Sequence, residues 1–311
     1  AHCISQWGQD FRPSYLRILD FIDSLPRRPI VSAFTATATR EVKDDIAQTL
    51  RLRDPEIVIT GFDRPNLYYR VETTRRKDAF VADYVRSHPG ESGIIYCATR
   101  KNVDAVQEML RGEDISAARY HAGMTNEERR QSQNDFIYDT APVIVATNAF
   151  GMGIDKSNVR YVIHYNMPQS MENYYQEAGR AGRDGLPSQC ILLFSPQDIV
   201  INRFLLDHKE NDDLDDEAAD LLRARDNQRL QAMANYCQTT GCLRNYILRY
   251  FGEEPAEPCG SCGNCDREFE EVDMTAQAKW MINCVAETRG RYGKGVVLNT
   301  LRGANMARLR E

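Results

Sequence analysis

The sequence predicts an α/β fold built on a parallel sheet with helices on both faces. Short apolar runs alternate with helical patterns from the start of the chain to about residue 208. The runs are nearly continuous in apolar residues, as strands covered on both faces require. In chain order the strand candidates are 29–34 (PIVSAF), 56–60 (EIVIT), 67–71 (LYYRV), 93–98 (GIIYCA), 141–147 (APVIVAT), 161–166 (YVIHYN) and 190–195 (CILLFS). Helices are predicted near 40–50, 77–87, 100–111, 125–138 and 170–180, where apolar residues recur at i, i+3 and i+4. Thr125, three residues before Glu128, supplies a capping box for the fourth of these. An architecture of this kind places ligands beyond the carboxyl ends of its strands.

Two joints interrupt the alternation. GFDRPN at 61–66 combines glycine, a turn-prone Asp and proline between strand runs. The second joint is acidic: ENDDLDDEAAD, residues 210–220, holds seven carboxylates and no cation. A helical pattern then runs from about 218 to 251 and is broken by proline and glycine. A third pattern opens near 274 with AQAKWMINCVAET and continues through GVVLNTLRG. The expected segments are 1–62, 63–208, 209–270 and 271–311.

Bulk properties narrow the classes. At 311 residues, 42% hydrophobic and 27% charged, the chain suits two globular domains and part of a third. No run of about 18 apolar residues occurs, so no membrane helix is expected, and the first residues lack a secretory pattern. Residue 1 is not methionine, which reads as a processed, trimmed or fragmentary chain. The net charge of −6 is concentrated in the acidic joint, and the remainder is close to neutral, which leaves room for basic patches.

Nine cysteines are unevenly placed. Cys3, Cys97, Cys190 and Cys284 are isolated, several in strand-like surroundings where a thiol is a small hydrophobe. Cys259, Cys262 and Cys265 recur at two-residue intervals, a metal-binding pattern for a reducing, intracellular compartment. Tetrahedral zinc needs a fourth ligand, and Cys237 and Cys242 are both upstream candidates. The same triplet opens iron–sulfur runs, but their fourth cysteine, three residues on and followed by proline, is absent here. The spacing favours structural zinc.

Four stretches carry further chemistry. VIVATNAFGMGID (143–155) runs a buried strand into Thr147 and a turn with Gly151, Gly153 and Asp155; glycines there permit positive φ or close approach to phosphate oxygens. SAFTATAT (32–39) ends an apolar run in small residues that include Thr35, and one of its threonines suits a helix N-cap. YYQEAGRAGRDG (174–185) spaces Arg180 and Arg183 three apart among glycine and alanine. Guanidiniums so placed suit bidentate capture of phosphate or carboxylate; the structural alternative is a solvated helix end with a glycine cap at Gly182 or Gly185. ISQWGQDFRPSY (4–15) interleaves Trp7 and Phe11 with Gln6 and Arg12, a composition for stacking on bases with Arg12 on phosphate, or else for burying both rings.

Taken together, these stretches resemble the motifs of superfamily 2 helicases, and closely those of the RecQ family of ATP-dependent DNA helicases. AHCISQWGQDFRP is similar to the end of motif II and the aromatic-rich loop, TATAT to motif III, GIIYCATR to motif IV, VATNAFGMGID to motif V and YYQEAGRAGRDG to motif VI. GKGVVLNTLRGAN resembles the start of a winged helix. The resemblance covers nearly the whole chain. It implies a RecA-like fold: the tail of one lobe in 1–62, a second lobe in 63–208, a helical zinc-binding domain in 209–270 and the start of a winged helix in 271–311.

It also implies roles. ATP with magnesium would bind between the lobes. Arg183 would be the arginine finger with Arg180 in support, Gln176 would couple the site to the other lobe, and His2 would survive from motif II. Gly151, Gly153, Asp155 and Thr35 would border the nucleotide. Ser5, Gln6, Trp7, Phe11, Arg12, Arg100, His121 and Thr147 would lie along DNA. Cys242 would join Cys259, Cys262 and Cys265 on zinc. The implied partners are single-stranded DNA and duplex junctions, with a single-stranded-DNA-binding protein as a further partner, no membrane, and a monomeric, intracellular protein of recombination and repair. No GxxxxGK[ST] phosphate loop occurs in the 311 residues, so turnover is expected to need a lobe preceding residue 1. The rival expectations are a DNA- or partner-binding fragment without turnover, and an RNA helicase of the same superfamily.

Overall fold

The computed structural model describes residues 1–5, 13–151, 155–208, 216–270 and 272–304. They separate into two units, Ala1–Arg267 and Glu268–Glu311.

The first unit opens with helices α1 (Arg17–Ser24) and α2 (Arg40–Thr49). Thr39 is the N-cap of α2, accepting from the Val42 amide at 3.5 Å. Ile4, Val42, Ile46 and Leu50 form a small core there. The apolar runs 29–34 and 56–60, expected as strands, are irregular, with Ile30, Phe34 and Val58 exposed. A strand is defined by the ladder it joins, and neither run has a ladder partner among the described residues.

Beyond the 61–66 joint, strands and helices alternate: β1 (Leu67–Thr73), α3 (Lys77–Ser87), β2 (Ser92–Tyr96), α4 (Arg100–Gly112), β3 (Ala117–Tyr120), α5 (Asn126–Ile137), β4 (Val143–Ala146), β5 (Val159–His164), α6 (Met171–Ala178), β6 (Ser188–Phe194) and α7 (Pro196–Asp207). Every pairing is parallel, in the order β1-β6-β5-β2-β4-β3. The capping box at Thr125 and Glu128 is present. Strand β3 was not expected, because its residues AARY lack the apolar run that marks the others.

Side chains alternate between the faces with the period of two that strands impose. Ile94, Ile144, Val162, Cys190 and Leu192 enter one core, and Ile95, Val145, Ile163, Ile191 and Leu193 enter the other. Helices α3 and α4 cover the second core through Val81, Val103, Val106 and Leu110. The first is covered by Phe136 of α5 and Met171 and Tyr174 of α6.

Two more helices complete that cover: α8 (Asp216–Gln238) and α9 (Leu243–Tyr250). Met233, Tyr236, Leu243 and Ile247 are buried in the same core as the sheet residues. The helical pattern expected from 218 to 251 is broken at residues 239–242, ahead of Cys242. The loop that follows α9 covers the open edge of β1. There the Gly263 amide donates to the Tyr69 carbonyl at 2.8 Å, and Arg267 reaches the Val71 carbonyl and Glu72. An edge covered in this way is no longer free to pair with another chain.

The second unit contains α10 (Thr275–Glu287) and α11 (Lys294–Leu301), with Val297 buried and Trp280 exposed.

One turn position has no alternative to glycine. Gly182 has φ +56°, and a Cβ there would strike the Asn66 amide and lie 2.8 Å from the Leu186 carbonyl. Gly182→Ala should cost about 1–3 kcal/mol of stability, read as a lower melting temperature by calorimetry. An unchanged melt would mean that the loop can open for a methyl group.

Candidate arginine loop and metal centre

Helix α6 carries Gln176 toward the first segment of the chain. Ser170 caps it, accepting from the Asn173 amide at 3.2 Å. Gln176 Nε2 donates to Thr37 Oγ1 at 2.6 Å, the Thr37 amide to Thr35 Oγ1 at 3.4 Å, and His2 Nδ1 lies 3.2 Å from Thr35 Oγ1. Three stretches far apart in sequence therefore meet along one line of hydrogen bonds. Thr37 in the middle was not singled out from sequence, where TATAT offers three equivalent hydroxyls.

The helix ends at Ala178, and the loop after it holds both arginines. Gly151 leaves room for Arg180: a Cβ on it would be 2.9 Å from Arg180 Nη2. Its φ is not in the left-handed region, so close approach is what this glycine provides. Arg183 Nη1 lies 3.6 Å from Asp155 Oδ1, a carboxylate that is almost fully exposed. Burial and then the neighbouring Arg180 push the Arg183 pKa down from its ordinary value. A guanidinium whose charge is disfavoured by a second one nearby marks a place where an anion is stabilised. Gly153 falls outside the described residues.

Under the loop, Glu177 Oε2 is 2.9 Å from Nε2 of the buried His164, whose ring stacks on Tyr96 at 5.5 Å. Tyr96 in turn donates to the Phe150 carbonyl at 2.9 Å, beside Gly151. Neither His164 nor Glu177 was singled out from sequence. A histidine at the end of an apolar run and a glutamate in a polar helix give no sign of pairing until the fold brings them together.

The residues expected along DNA are distributed as follows. Thr147 follows β4 and is buried, and its hydroxyl accepts from the Ala149 amide at 3.4 Å. Arg100 opens α4 and packs beside Gly123. His121 is buried with both ring nitrogens engaged, Nε2 at 3.2 Å from Asp104 Oδ1 and Nδ1 at 3.2 Å from the Gly123 amide. Ser5 is buried and donates to Asp45 Oδ2 at 2.6 Å. Gln6, Trp7, Phe11 and Arg12 lie outside the described residues.

The cysteines converge. The sulfurs of Cys242, Cys259, Cys262 and Cys265 all lie within 4.8 Å of one another, with Cys259 and Cys265 3.9 Å apart. Tetrahedral zinc with bonds of about 2.3 Å separates its sulfurs by roughly 3.8 Å, so the donor set fits the ion. Backbone amides of Asn245 and Cys259 point at Cys242 Sγ, and that of Leu243 at Cys262 Sγ, each at 3.4 Å. Burial raises the Cys262 pKa, but amide donors from Cys265, Leu243 and Asn264 outweigh it and bring the thiol down to about 7. Amides aimed at sulfur stabilise thiolate, the form that binds metal. Cys237 is not in the cluster but buried in the sheet core.

An arginine-bearing loop on a wholly parallel sheet, with a four-cysteine knuckle against its edge strand, defines a class: a RecA-like helicase lobe with an appended zinc module. Residues 76–185 match the helicase conserved C-terminal domain, 196–266 the RecQ zinc-binding domain and 268–311 the RQC domain. The chain is 45% identical over its whole length to the ATP-dependent DNA helicase RecQ of Bacillus subtilis, covering 51% of that protein. It is 38% identical to the protein of the same name from Pasteurella multocida, covering all of the chain and 48% of that relative. Among solved structures, Saccharomyces cerevisiae Dbp5 bound to RNA and ADP BeF3 superimposes with a TM-score of 0.54 at 18% identity, covering 72% of this chain and 61% of Dbp5, a likeness of fold. The chain belongs to the RecQ family, and it spans about half the length of the curated relatives it matches. Its four cysteines form a structural zinc site. No helix among the described residues is long and apolar enough to cross a membrane.

Elemental analysis should return one zinc per chain, without the absorption near 400 nm, roughly the iron–sulfur range, that a cluster would give. Cys262→Ser should abolish that stoichiometry and lower the melting temperature, whereas Cys237→Ala should leave the zinc content unchanged. Retained zinc in Cys262→Ser would remove Cys262 from the ligand set.

Proposed function

We propose that the chain is the second motor lobe, with the zinc module and the start of the winged helix, of a RecQ-type helicase that couples ATP hydrolysis to 3′-to-5′ movement on DNA. On this reading residues 1–62 are the end of the first lobe, 63–208 the second lobe, 209–270 the zinc domain and 271–311 the winged-helix start. The observation that carries it is the 2.6 Å hydrogen bond from Gln176 to Thr37, which brings the helix that leads into the arginine loop onto the TATAT stretch of the first segment. The names of the relatives, ATP-dependent DNA helicases, support the same reading.

Hydrolysis of a nucleoside triphosphate builds negative charge on the departing phosphoryl oxygens. Arg183, with Arg180 beside it, supplies fixed positive charge for that moment, a contribution of about 10³ to 10⁵ in rate for such fingers. Magnesium and the phosphate loop belong to the lobe preceding residue 1, with His2 and Thr35 at its border. The Gln176–Thr37 bond relays closure of the lobes, because it can exist only when they are together. Arg100 and the amides near Thr147 grip the DNA backbone, a contact that is largely independent of sequence. Gln6, Trp7, Phe11 and Arg12 stack on and hold single-stranded bases. The protein acts inside the cell in recombination and repair, as a monomer, with a single-stranded-DNA-binding protein as partner.

Phosphate release stimulated by single-stranded DNA tests this. The isolated chain should show negligible turnover, and fusion to a first lobe with a phosphate loop should restore it. In the fusion, Arg183→Ala should lower kcat by about 10³. Robust turnover by the isolated chain, or an unaffected kcat in Arg183→Ala, would defeat the proposal. Stimulation by RNA in place of DNA would identify an RNA helicase instead.

A further inference from the structure

Between Arg180 and Arg183 the loop has only Ala181 and Gly182, and of these only the methyl of Ala181 enters the sheet core. Three of its carbonyls accept from Arg64 of the 61–66 joint. Arg64 Nη1 donates to the Gly179 carbonyl at 3.2 Å, and Nη2 donates to the carbonyls of Ala181 and Gly182, each at 3.1 Å. These carbonyls bracket Arg180 and immediately precede Arg183. Asn66 adds a bond of 2.9 Å to the Gly182 carbonyl. A planar fork with fixed donor directions defines the position of three acceptors at once, which a single ammonium cannot do. Being cationic, it also suits the carbonyl end of α6.

The residues on either side of Arg64 are held in turn by the zinc module. Arg244, two residues after the zinc ligand Cys242, places Nη1 2.8 Å from Asp63 Oδ1 and donates through Nη2 to the Leu67 carbonyl at 2.7 Å. At the other end of α9, Glu253 accepts from the Phe62 amide at 2.5 Å, and Phe251 stacks on Phe62 with centroids 4.5 Å apart. The joint is thus gripped on both flanks of Arg64 by the zinc module.

We propose that Arg64 is the positioning residue for the arginine finger: held in place by α9, it fixes the backbone from which Arg180 and Arg183 project. This rests on the reading of Arg183 given above. Arg64 touches neither nucleotide nor DNA in this role and acts only through the loop. Its removal would leave the finger attached but wandering by an ångström or so, a displacement that costs about 10² in rate.

The test uses the chain fused to a first lobe with a phosphate loop, and DNA-stimulated ATP hydrolysis. Arg64→Ala should lower kcat by about 10² while KM for ATP stays within about twofold. Arg64→Lys, which keeps the charge and loses the fork, should fall between the variant and the wild type. The decisive arm is the double variant: if Arg64 acts through Arg183, then Arg64→Ala with Arg183→Ala should be no slower than Arg183→Ala alone. An unchanged kcat in Arg64→Ala overturns the proposal. So does a double variant slower by the full product of the single losses, or a loss of kcat matched by loss of DNA affinity and bound zinc. If Arg183→Ala itself leaves kcat unchanged, the fault lies in the helicase reading and not in the assignment of Arg64.

Discussion

A parallel sheet with two apolar faces must have both covered, and here one face is finished by residues that lie outside the alternating strands and helices. Met233, Tyr236, Leu243 and Ile247 of the zinc module sit in the same core as Ile94, Val162 and Leu192. Full burial of such side chains contributes about 1.5–3 kcal/mol each, so the lobe draws part of its stability from the module. The knuckle loop adds hydrogen bonds along the edge of β1. The zinc module and the sheet lobe are therefore one packed body, consistent with a first unit that runs unbroken to Arg267.

That packing explains why the joint at 61–66 can serve the arginine loop. A flexible connector would be a poor support for the loop, because fixing it would cost conformational entropy. Arg244 and Glu253 remove that freedom from one side, and the carbonyls of Gly179, Ala181 and Gly182 use the resulting rigidity on the other. Elsewhere the loop is shaped by exclusion: Gly151 admits Arg180 by lacking a side chain, and Gly182 holds a left-handed turn among Asn66, Leu186 and Ser188. The small residues around the arginines are needed for the approach of neighbouring protein groups.

Much of this was legible from the sequence. Near-continuous apolar runs and the 3.6-residue pattern placed five of the six described strands and the five helices named from them, and cysteine spacing with the family resemblance placed the metal ligands. What escaped had no local signature. Strand β3 reads AARY, and its place in the sheet comes from pairing with β4 and not from its own apolarity. The runs 29–34 and 56–60 have strand composition but no partner among the described residues. Arg64 sits in a stretch that reads as a turn, because Gly, Asp and Pro around it are the usual punctuation of loops. Arg244 looks like one more surface cation of an amphipathic helix, yet it is almost wholly buried. Pairings of His164 with Glu177 and of Gln176 with Thr37 are products of the tertiary fold, which one-dimensional spacing cannot express.

The sheet order has a consequence for how the chain acquires its shape. Strand β1 lies at an edge and pairs with β6, Leu67 opposite Ser188, so its sheet neighbour is the last strand of the lobe to leave the ribosome. Contacts so distant in sequence are slow to form, and a strand awaiting its mate is exposed to wrong partners in the meantime. Its other edge is shielded later still, when Gly263 is synthesised. Between the synthesis of Thr73 and that of Ser188, then, the strand that follows the connector has yet to meet its sheet neighbour.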